Sequence, residues 1–512
     1  MSKIAHSFFS NAEATPDKTA LWFEGLSLTY RELADTVRRL SEAMAAQGVC
    51  RGDHIGVLLP NCVEFVTLML TAANMGTVLV PLNTTLPPSA VRQSFLAADV
   101  KHIVAASQIL VDLIPFKNTD LSFIDGFWLA VGDELKDAAS MAAVYYNQAP
   151  DSDPMFSVQE EDPFILTMTS GSTGDPKPIV LTQRTKYNRA SAAKDLYGIT
   201  SSDRILAATP LYHSLAERLV LIPLIFGGTS ILMARFSPSE WLRCVEKQAV
   251  SFTIAVSSQL RQIAECLSTD RNTSISSLRC VVSSSAQLES HFKTELLLKL
   301  HCEFHECYGT SEIAIASSLE GSSDISKLQS VGKAAPGVDI RILRDNGQTA
   351  DVDEHGEIAC KTPMIFGGYY KRPDLTEAAM CGDYFRTGDI GKIDGEGYLY
   401  YLGRTKDIII TGGINVYPKD IESVLLEHSD ISECAAFAFP DDKLGEIIAV
   451  ALVLKDTADV DLRKIRHYCA ERLADFQQPR KYCFLKELPK NGMGKIIKRS
   501  LPAFCGIELQ ET

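Results

Sequence analysis

Short apolar segments alternate with amphipathic segments along residues 28–307. The apolar runs predict buried strands, and apolar residues spaced three and four apart predict helices that cover a sheet. Helices of this kind are predicted at residues 30–47 and 238–248. The predicted strands span residues 54–59, 78–82, 203–208, 229–233, 251–256 and 278–283. Apolar strands joined by helices favour parallel sheets that are covered on both faces.

A different pattern begins near Tyr398 and continues towards the C-terminus. Segments 407–411 and 414–417 flank Gly412-Gly413, which predicts a β-hairpin, and Pro418 can begin a helix that ends near residue 428. Further strands are predicted at residues 434–439, 447–454 and 482–485, with a helix at 462–473. We therefore predict an α/β protein with two parts. A large N-terminal lobe of mainly parallel sheets covered by helices spans residues 1–402, and a small α+β domain spans residues 403–512.

The composition is that of a folded, acidic protein. Of the 512 residues, 46% are hydrophobic and 22% are charged, which excludes a disordered or low-complexity chain. The net charge of −14 argues against a general nucleic-acid binder. Anionic ligands must therefore be held by local groups.

Cysteine usage and the terminal sequence predict a cytoplasmic protein. The 13 cysteines are scattered singly, which does not predict a disulfide framework and fits a reducing compartment. The first 20 residues lack a signal-peptide pattern, and Pro and Gly interrupt the longest apolar runs, so no membrane span is predicted. No metal site is predicted at residues 301–307, because alternate residues of a strand point to opposite faces.

The strongest chemical signal is Thr169-Ser170-Gly171-Ser172-Thr173-Gly174-Asp175-Pro176-Lys177, directly after an apolar strand predicted at residues 164–168. Glycines let the backbone approach a polyanion, and hydroxyl groups with one lysine supply further donors. The segment differs from a Walker A loop, because its glycines are three residues apart and Pro178 follows Lys177. A phosphate-binding loop is the favoured interpretation, and a flexible Gly/Ser turn is the alternative.

This segment resembles the phosphate loop of the adenylate-forming superfamily, which includes acyl- and aryl-CoA synthetases, adenylation domains of nonribosomal peptide synthetases and beetle luciferases. The resemblance covers nearly the whole chain, from Leu28-Thr29-Tyr30-Arg31-Glu32-Leu33 to Lys495. It implies an enzyme that uses ATP and Mg²⁺ to convert a carboxylic acid into an acyl-adenylate and then transfers the acyl group to a thiol. The phosphate-binding residues it implies are Thr169, Ser170, Gly171, Ser172, Thr173, Gly174 and Lys177.

Two further segments resemble loops that surround the nucleotide. Tyr308-Gly309-Thr310-Ser311-Glu312 is similar to a loop whose tyrosine packs on adenine, whose hydroxyl group contacts the α-phosphate and whose glutamate binds Mg²⁺. Mg²⁺ prefers such oxygen ligands. Ser284-Ser285-Ala286-Gln287-Leu288 lies where relatives carry a Gly-rich adenine-side loop. Ser285 and Ala286 are thus expected at the nucleotide, although the serines and Gln287 depart from the family pattern.

The remaining motifs imply a ribose site, a hinge and a catalytic lysine. Asp389 resembles the family's ribose-binding acid, since a carboxylate can accept hydrogen bonds from both ribose hydroxyl groups, and Arg404 would assist it. Lys406 matches the hinge about which the mobile C-terminal domain rotates between the half-reactions. Lys495 ends Pro489-Lys490-Asn491-Gly492-Met493-Gly494-Lys495 and matches the lysine that enters the site for adenylation. Its charge would offset the repulsion between the carboxylate and the α-phosphate.

The motif around His213 implies a carboxylic acid that is not an α-amino acid. Pro210-Leu211-Tyr212-His213-Ser214 lacks the Asp with which amino-acid-activating domains bind the substrate ammonium, and an unpaired ammonium is costly. His213 is predicted to act on the acid, with a packed core histidine as the alternative. The family positions of the acid pocket correspond to Glu217, Arg218, Ser257, Ser258 and Gln259.

The substrate stays open among fatty, aryl and functionalised acids. Glu217 and Arg218 can pair with each other, or Arg218 can bind a polar or second carboxylate group of the substrate.

The thiol acceptor is predicted from Gly412-Gly413-Ile414-Asn415-Val416-Tyr417-Pro418, which most resembles the acyl-CoA synthetase form. In that form Gly412 and Gly413 leave room for a pantetheine arm. Coenzyme A is the favoured acceptor, and the phosphopantetheine arm of a carrier protein is the alternative. The sequence therefore predicts a fatty or aryl acid–CoA ligase, with fatty acid metabolism as one setting. A catalytically silent nucleotide-binding scaffold is a remote alternative, which is disfavoured by the retention of Glu312, Asp389, Arg404 and Lys495.

Overall fold

Two sheets of mainly parallel strands form the centre of the N-terminal lobe. The structure is a computed structural model that describes residues 2–146, 156–170, 176–269, 273–321, 325–455, 461–490 and 495–505. The strands of these two sheets are β1 Thr19–Phe23, β2 Leu26–Thr29, β3 His54–Leu58, β4 Val78–Pro81, β5 His102–Ala106, β6 Trp128–Val131, β7 Ala139–Ser140, β8 Pro163–Ser170, β9 Pro176–Thr182, β10 Arg204–Ala207, β11 Thr229–Leu232, β12 Phe252–Val256, β13 Cys280–Ser284, β14 Glu303–Tyr308, β15 Ser317–Glu320 and β16 Lys333–Ala334.

The strand order confirms the predicted parallel sheets. One sheet runs β16-β15-β14-β13-β12-β10-β11-β1-β2, and the other runs β7-β6-β5-β3-β4-β8-β9. All interior pairs are parallel, and the antiparallel pairs β1–β2, β14–β15, β15–β16 and β8–β9 lie at the edges. Every residue of β3 and β12 is buried, as expected for strands covered on both faces.

Helices cover these sheets, and one of them explains a predicted motif. Thr29 caps α2 through a capping box, in which its hydroxyl group accepts from Glu32 N (3.2 Å) and the Glu32 carboxylate accepts from Thr29 N (2.8 Å). The helices of the described residues are α1 Lys3–Ala14, α2 Tyr30–Ala46, α3 Val63–Met75, α4 Pro88–Ala97, α5 Ser107–Leu113, α6 Met141–Tyr146, α7 Gln183–Tyr197, α8 Ser214–Phe226, α9 Pro238–Lys247, α10 Ser257–Thr269, α11 Ser290–Leu300, α12 Pro373–Ala378, α13 Pro418–Leu426, α14 Leu462–Arg472 and α15 Leu501–Phe504.

A third, fully antiparallel sheet lies between the two predicted parts. Its strands are β17 Asp339–Leu343, β18 Gly356–Lys361, β19 Met380–Cys381, β20 Tyr384–Ile393 and β21 Leu399–Arg404. The order is β17-β18-β20-β19, and β21 pairs with β20. No strands were predicted over residues 308–398, because the strands of this sheet are partly exposed and contain charged residues, so they show no continuous apolar run.

The C-terminal unit has the predicted α+β elements. Its strands are β22 Ile409–Thr411, β23 Ile414–Val416, β24 Ile431–Asp441, β25 Gly445–Leu454 and β26 Lys481–Phe484. The strands β22 and β23 form the predicted hairpin, and β24, β25 and β26 complete the sheet. A 3₁₀ turn, Thr405–Asp407, connects β21 to β22. Each predicted segment matches an observed element to within a few residues, and the α/β fold class is confirmed.

The C-terminal unit contains one disulfide bond. Cys483 and Cys505 form a disulfide with Cα atoms 5.6 Å apart, while the other 11 cysteines are free. This single bridge lies within the C-terminal unit, where the scattered spacing had indicated no disulfide framework. Among the helices of the described residues, none is long and apolar enough to cross a membrane.

Candidate active site

Asp389 and Arg404 lie opposite each other on the neighbouring strands β20 and β21. Arg404 Nε is 2.7 Å from Asp389 Oδ1, and the Tyr308 hydroxyl group donates to Asp389 Oδ2 at 2.8 Å. Asp389 is 2% exposed. Burial raises the pKa of Asp389, although Arg404 and Tyr308 act in the opposite direction. The neighbouring strands β20 and β21 and the end of β14, 81 residues before Asp389, thus meet around one buried carboxylate.

The Asp389 carboxylate keeps capacity for a ligand. The Arg404 N–H does not point at Oδ1, so this buried oxygen has no hydrogen-bond partner among the described residues. Thr310 Oγ1, two residues after Tyr308, is likewise buried without a hydrogen bond in the described part of the chain. Unsatisfied buried polar atoms are rare in folded proteins and commonly mark ligand contacts.

Lys495 reaches this group from the C-terminal unit. It interacts electrostatically with Asp389, Arg404, Lys406 and Asp407. Desolvation, followed by the charge of Arg404, lowers the pKa of Lys495, while Asp389 and Asp407 act to raise it. Lys495 remains open to solvent. The structure therefore brings the predicted catalytic lysine to the predicted ribose-binding acid.

The conformation of the loop after β14 is fixed by a close backbone contact at Gly309 and by the buried side chain of Arg189. A Cβ atom added to Gly309 would lie 1.7 Å from the carbonyl oxygen of Ala314, so this position excludes larger residues. Arg189 Nη2 donates to the carbonyl oxygens of Ser311 and Glu312, both at 2.9 Å. Its Nε donates to Met364 O at 3.0 Å. Arg189 was missed in the sequence, because its partners lie more than 100 residues away.

The Glu312 side chain lies near the same group. Its Oε1 accepts a hydrogen bond from the Tyr369 hydroxyl group at 3.0 Å. Its charge also acts on Asp389 and Arg404. A half-buried carboxylate such as that of Glu312 is suited to bind a hard cation such as Mg²⁺.

The flanks of the Gly/Ser segment lie in the antiparallel strand pair β8–β9. Thr169 and Ser170 end β8, and Lys177 lies in β9, paired with Thr169. Gly171, Ser172, Thr173 and Gly174 lie outside the described residues, so their predicted phosphate contacts stay predictions.

Ser285 has an unusual backbone conformation. Its φ is +81°, in the left-handed region that favours glycine, and relatives are expected to carry a Gly-rich loop there. Ala286, the next residue, accepts a hydrogen bond at its carbonyl oxygen from the Ser257 hydroxyl group. Glu306 Oε1 accepts from Leu288 N at 2.7 Å and fixes the end of the loop. The departure from the family pattern therefore retains the glycine-like turn.

His213 lies directly before α8 in a loop that a buried asparagine holds. Asn61 Oδ1 accepts from Leu211 N at 2.7 Å, and its Nδ2 donates to Thr209 O at 3.0 Å and Met233 O at 2.8 Å. The His213 ring packs on Tyr212 with ring centroids 4.4 Å apart. Burial lowers the pKa of His213 to about 4, so the ring is neutral at physiological pH. The sequence offered no signal for the positioning role of Asn61.

Glu217 and Arg218 do not pair with each other. Glu217 Oε2 accepts from Lys186 Nζ at 2.7 Å, and these side chains are 0% and 1% exposed. The suggested Glu217–Arg218 pair is therefore wrong, because Glu217 forms its ion pair with Lys186 on α7, while its Oε1 accepts no hydrogen bond from any described residue. Arg218 is 7% exposed and has no hydrogen bond or ion pair with any described residue.

The other predicted acid-pocket residues open helix α10. Gln259 Oε1 accepts from Val256 N at 3.2 Å, and Ser257 binds Ala286 O. Ser258 is half-buried beside them. These three residues follow β12, whereas His213 follows β10, and β10 and β12 are adjacent in the sheet. Ligands of open parallel sheets bind outside the carboxyl ends of such strands.

The predicted thiol-site glycines form the turn of the β22–β23 hairpin. The φ angles of Gly412 and Gly413 are +56° and +84°, values that a two-residue turn of this kind requires. A Cβ atom on Gly413 would meet nothing within 4 Å. The observed reason for glycine is thus the turn, and in the described part of the chain no hydrogen bond or ion pair joins this turn to the Asp389 group. Lys406, the predicted hinge, is exposed in the Thr405–Asp407 turn.

A separate group lies at the opposite ends of the strands. Cys280, Glu303 and His305 present possible ligand atoms within 4.8 Å of one another. Cys280 and Glu303 are the first residues of β13 and β14, whereas Tyr308 is the last residue of β14. Two residues of the segment 301–307, Glu303 and His305, thus lie close to each other and to Cys280, where no metal site was predicted. The group is at the other end of β14 from Tyr308.

The chain belongs to the AMP-binding enzyme family. Residues 8–370 match the AMP-binding enzyme, and residues 420–495 match the AMP-binding enzyme C-terminal domain. The predicted family and the prediction of an enzyme are thereby confirmed.

Relatives of the chain include acid–CoA ligases. It is 32% identical to the long-chain-fatty-acid–CoA ligase FadD13 of Mycobacterium tuberculosis over 93% of this chain and 92% of the relative. It is 31% identical to the 2-succinylbenzoate–CoA ligase of Bacillus subtilis over 96% of each chain. These relatives agree with the predicted type of reaction.

A solved structure agrees with the fold. The o-succinylbenzoate CoA synthetase (MenE) of Bacillus subtilis, in complex with the acyl-adenylate intermediate OSB-AMP, superposes with a TM-score of 0.85. It is 29% identical and covers 97% of each chain. The same synthetase in complex with ATP and a magnesium ion superposes with a TM-score of 0.84.

Proposed function

We propose that this chain is an ATP-dependent ligase that activates a carboxylic acid as an acyl-adenylate and transfers the acyl group to the thiol of coenzyme A. The observation that carries the proposal is the meeting of Lys495 from the C-terminal unit with the buried Asp389–Arg404 pair. A cation beside a nucleotide-binding carboxylate is what attack on an α-phosphate requires. The acid–CoA ligases among the relatives support the same reaction.

The described residues fit a nucleotide and Mg²⁺. The unsatisfied Asp389 Oδ1 would accept hydrogen bonds from the ribose hydroxyl groups, and Thr310 Oγ1 would donate to the α-phosphate. Glu312 would hold Mg²⁺, which supplies positive charge to the phosphates. The further nucleotide contacts that we propose come from Thr169, Ser170, Gly171, Ser172, Thr173, Gly174, Lys177, Ser285, Ala286, Tyr308, Gly309 and Ser311.

In the first half-reaction a carboxylate oxygen of the substrate attacks the α-phosphorus, and the bond to the β-phosphate oxygen breaks. Pyrophosphate leaves with the electron pair of that bond. Negative charge accumulates on the α-phosphoryl oxygens, and Lys495 stabilises it electrostatically. His213, neutral because of burial, would contact the acid without adding charge.

In the second half-reaction the thiol sulfur attacks the acyl carbon, the thiol loses its proton, and AMP leaves. We propose that the C-terminal domain rotates on the N-terminal lobe about Lys406, so that the residues after this hinge remove Lys495 from the site and bring in the thiol entrance at Gly412 and Gly413. The turn that contains Lys406 supports this hinge, because it is only three residues long and Lys406 is exposed in it.

The phosphopantetheine arm of a carrier protein is the alternative acceptor, since its reactive end is the same as that of coenzyme A. The relatives act on both kinds of acid: one is a long-chain-fatty-acid–CoA ligase, and another is a 2-succinylbenzoate–CoA ligase. A fatty acid, which would place the enzyme in fatty acid metabolism, and an aryl acid are therefore both candidate substrates. The cytoplasmic location stays a prediction.

The test is pyrophosphate release with ATP and Mg²⁺ across fatty, aryl and dicarboxylic acids, followed by mass detection of acyl products with coenzyme A or a carrier protein. We expect AMP and an acyl-CoA from at least one acid. Acyl transfer to the carrier protein alone would favour the alternative acceptor over coenzyme A. ATP binding without AMP or any acylated thiol would overturn the proposal in favour of a silent scaffold.

A further inference from the structure

Arg218 is a buried cation without a hydrogen-bond or ion-pair partner among the described residues. Only 7% of the residue is exposed, its Nε is buried without a hydrogen bond, and no carboxylate in the described part of the chain pairs with it. Burial of an unpaired charge is costly, and guanidinium groups in such places usually meet a carboxylate or phosphate. The fold therefore retains an unfavourable group at this position.

Two further cations near Arg218 favour the binding of an anion. Lys186 and Arg189, on the adjacent helix α7, both interact electrostatically with Arg218. Burial and the charge of Arg218 lower the pKa of Arg189 to about 9. Lys186 donates to Glu217 Oε2, and the Arg189 guanidinium donates to three carbonyl oxygens. Of these three cations, Arg218 is the one that has no acceptor within the described part of the chain.

The position of Arg218 is on the acid side of the site. It lies on α8, five residues after His213, and interacts electrostatically with Cys307, which precedes Tyr308 at the carboxyl end of β14. The groups that act on the nucleotide-side carboxylate Asp389 are instead Arg404, Tyr308, Lys495 and Glu312. Arg404 and Lys495 thus lie on the nucleotide side of the site, and Arg218 lies on the acid side.

We propose that Arg218 binds a second carboxylate at the far end of the acid substrate, so that the enzyme selects dicarboxylic acids. This inference rests on the proposed function. The planar guanidinium can hold a carboxylate through two parallel hydrogen bonds in a water-poor environment. A monocarboxylic acid leaves Arg218 buried and unpaired, which disfavours its binding.

The experiment measures kcat/KM for pyrophosphate release with matched acids. Glutarate, adipate, suberate and terephthalate are compared with pentanoate, hexanoate, octanoate and benzoate. We expect the best dicarboxylate to exceed its partner roughly 100-fold. Arg218→Met removes this preference by lowering the value for the dicarboxylate, and Arg218→Lys retains part of it. Arg243→Met, at an exposed arginine paired with Glu240, leaves the preference unchanged.

A binding measurement separates substrate selection from folding. Without ligand, Arg218→Met should melt at the same temperature as the unchanged protein or higher, because it removes an unpaired buried charge. The preferred dicarboxylate alone should raise the melting temperature of the unchanged protein and not that of Arg218→Met.

Two results would overturn the inference. Monocarboxylates that react as well as their dicarboxylate partners would leave the proposed function intact and remove the role of Arg218. Equal losses for both acids in Arg218→Met, with a lower melting temperature, would make the residue structural. Failure of every acid to release pyrophosphate would instead reject the proposed function.

Discussion

Asp389 and Arg404 are cross-strand neighbours, with Arg404 Nε 2.7 Å from Asp389 Oδ1. The pair lies in the antiparallel sheet, while the tyrosine that donates to the same carboxylate ends a strand of the large parallel sheet. Because the strand register fixes both residues, the carboxylate is oriented before any ligand binds. Such pre-organisation lowers the entropic cost of binding.

Asp389→Asn should weaken ATP binding about 10- to 100-fold, because it replaces a charged acceptor of ribose hydroxyl groups by a neutral amide. Titration calorimetry with ATP measures the change. Asp383→Asn is the control, since Asp383 forms an exposed ion pair with Lys361. An unchanged ATP affinity in Asp389→Asn would contradict the ribose assignment.

Lys495→Ala should slow adenylation by about 100- to 1,000-fold, because it removes the cation that stabilises charge on the α-phosphoryl group. Thioester formation from a pre-made acyl-adenylate should continue at nearly the original rate. Rapid-quench measurements of the two half-reactions separate these effects. Lys486→Ala, at an exposed lysine, serves as the control. If both half-reactions slowed equally, Lys495 would not have the assigned role.

Ser285→Gly should raise the free energy of unfolding by about 1 kcal/mol, since φ at Ser285 is +81° and glycine adopts this region without steric cost. Denaturant unfolding measures the difference. Ser284→Gly makes the matched control, because the neighbouring serine is not in the left-handed region and glycine should only destabilise it. Destabilisation by both substitutions would show that Ser285 is not strained.

Stability should fall as the pH is lowered from about 6.5 to about 4, in part through His213. Burial lowers its pKa from 6.5 to about 4, so the unfolded chain takes up this proton first. The contribution of neutral His213 is therefore present above pH 6.5 and is lost towards pH 4. His213→Asn should show a shallower decline in unfolding experiments at several pH values, while His467→Asn, at an exposed histidine, should match the unchanged protein. Identical slopes would refute the burial effect.

Local patterns predicted most elements of the fold. Completely buried strands such as β12 produce apolar runs that are visible in sequence, and Gly412-Gly413 marks its own hairpin because both residues need positive φ. The antiparallel sheet was missed because its strands are partly exposed and mix charged with apolar residues, so they lack the continuous apolar runs of strands such as β12.

The candidate site was predicted unevenly for the same reason. Asp389, Arg404 and Lys495 lie in recognisable motifs, so the family resemblance indicated them. Arg189 and Asn61 lie in no such motif, and their hydrogen bonds join residues separated by more than 100 positions. The partner of Glu217 is Lys186 on another helix, which the sequence does not reveal. The prediction therefore paired Glu217 with its sequence neighbour Arg218, which was wrong.

The last residue of β21 is Arg404, and the connecting turn starts only with the next residue. Both members of the Asp389 ion pair therefore precede the proposed hinge at Lys406, whereas Lys495 follows it. In the proposed rotation, one positive charge would leave the site while the residues proposed to hold the ribose keep their positions. The adenylate would then stay bound until the thiol arrives.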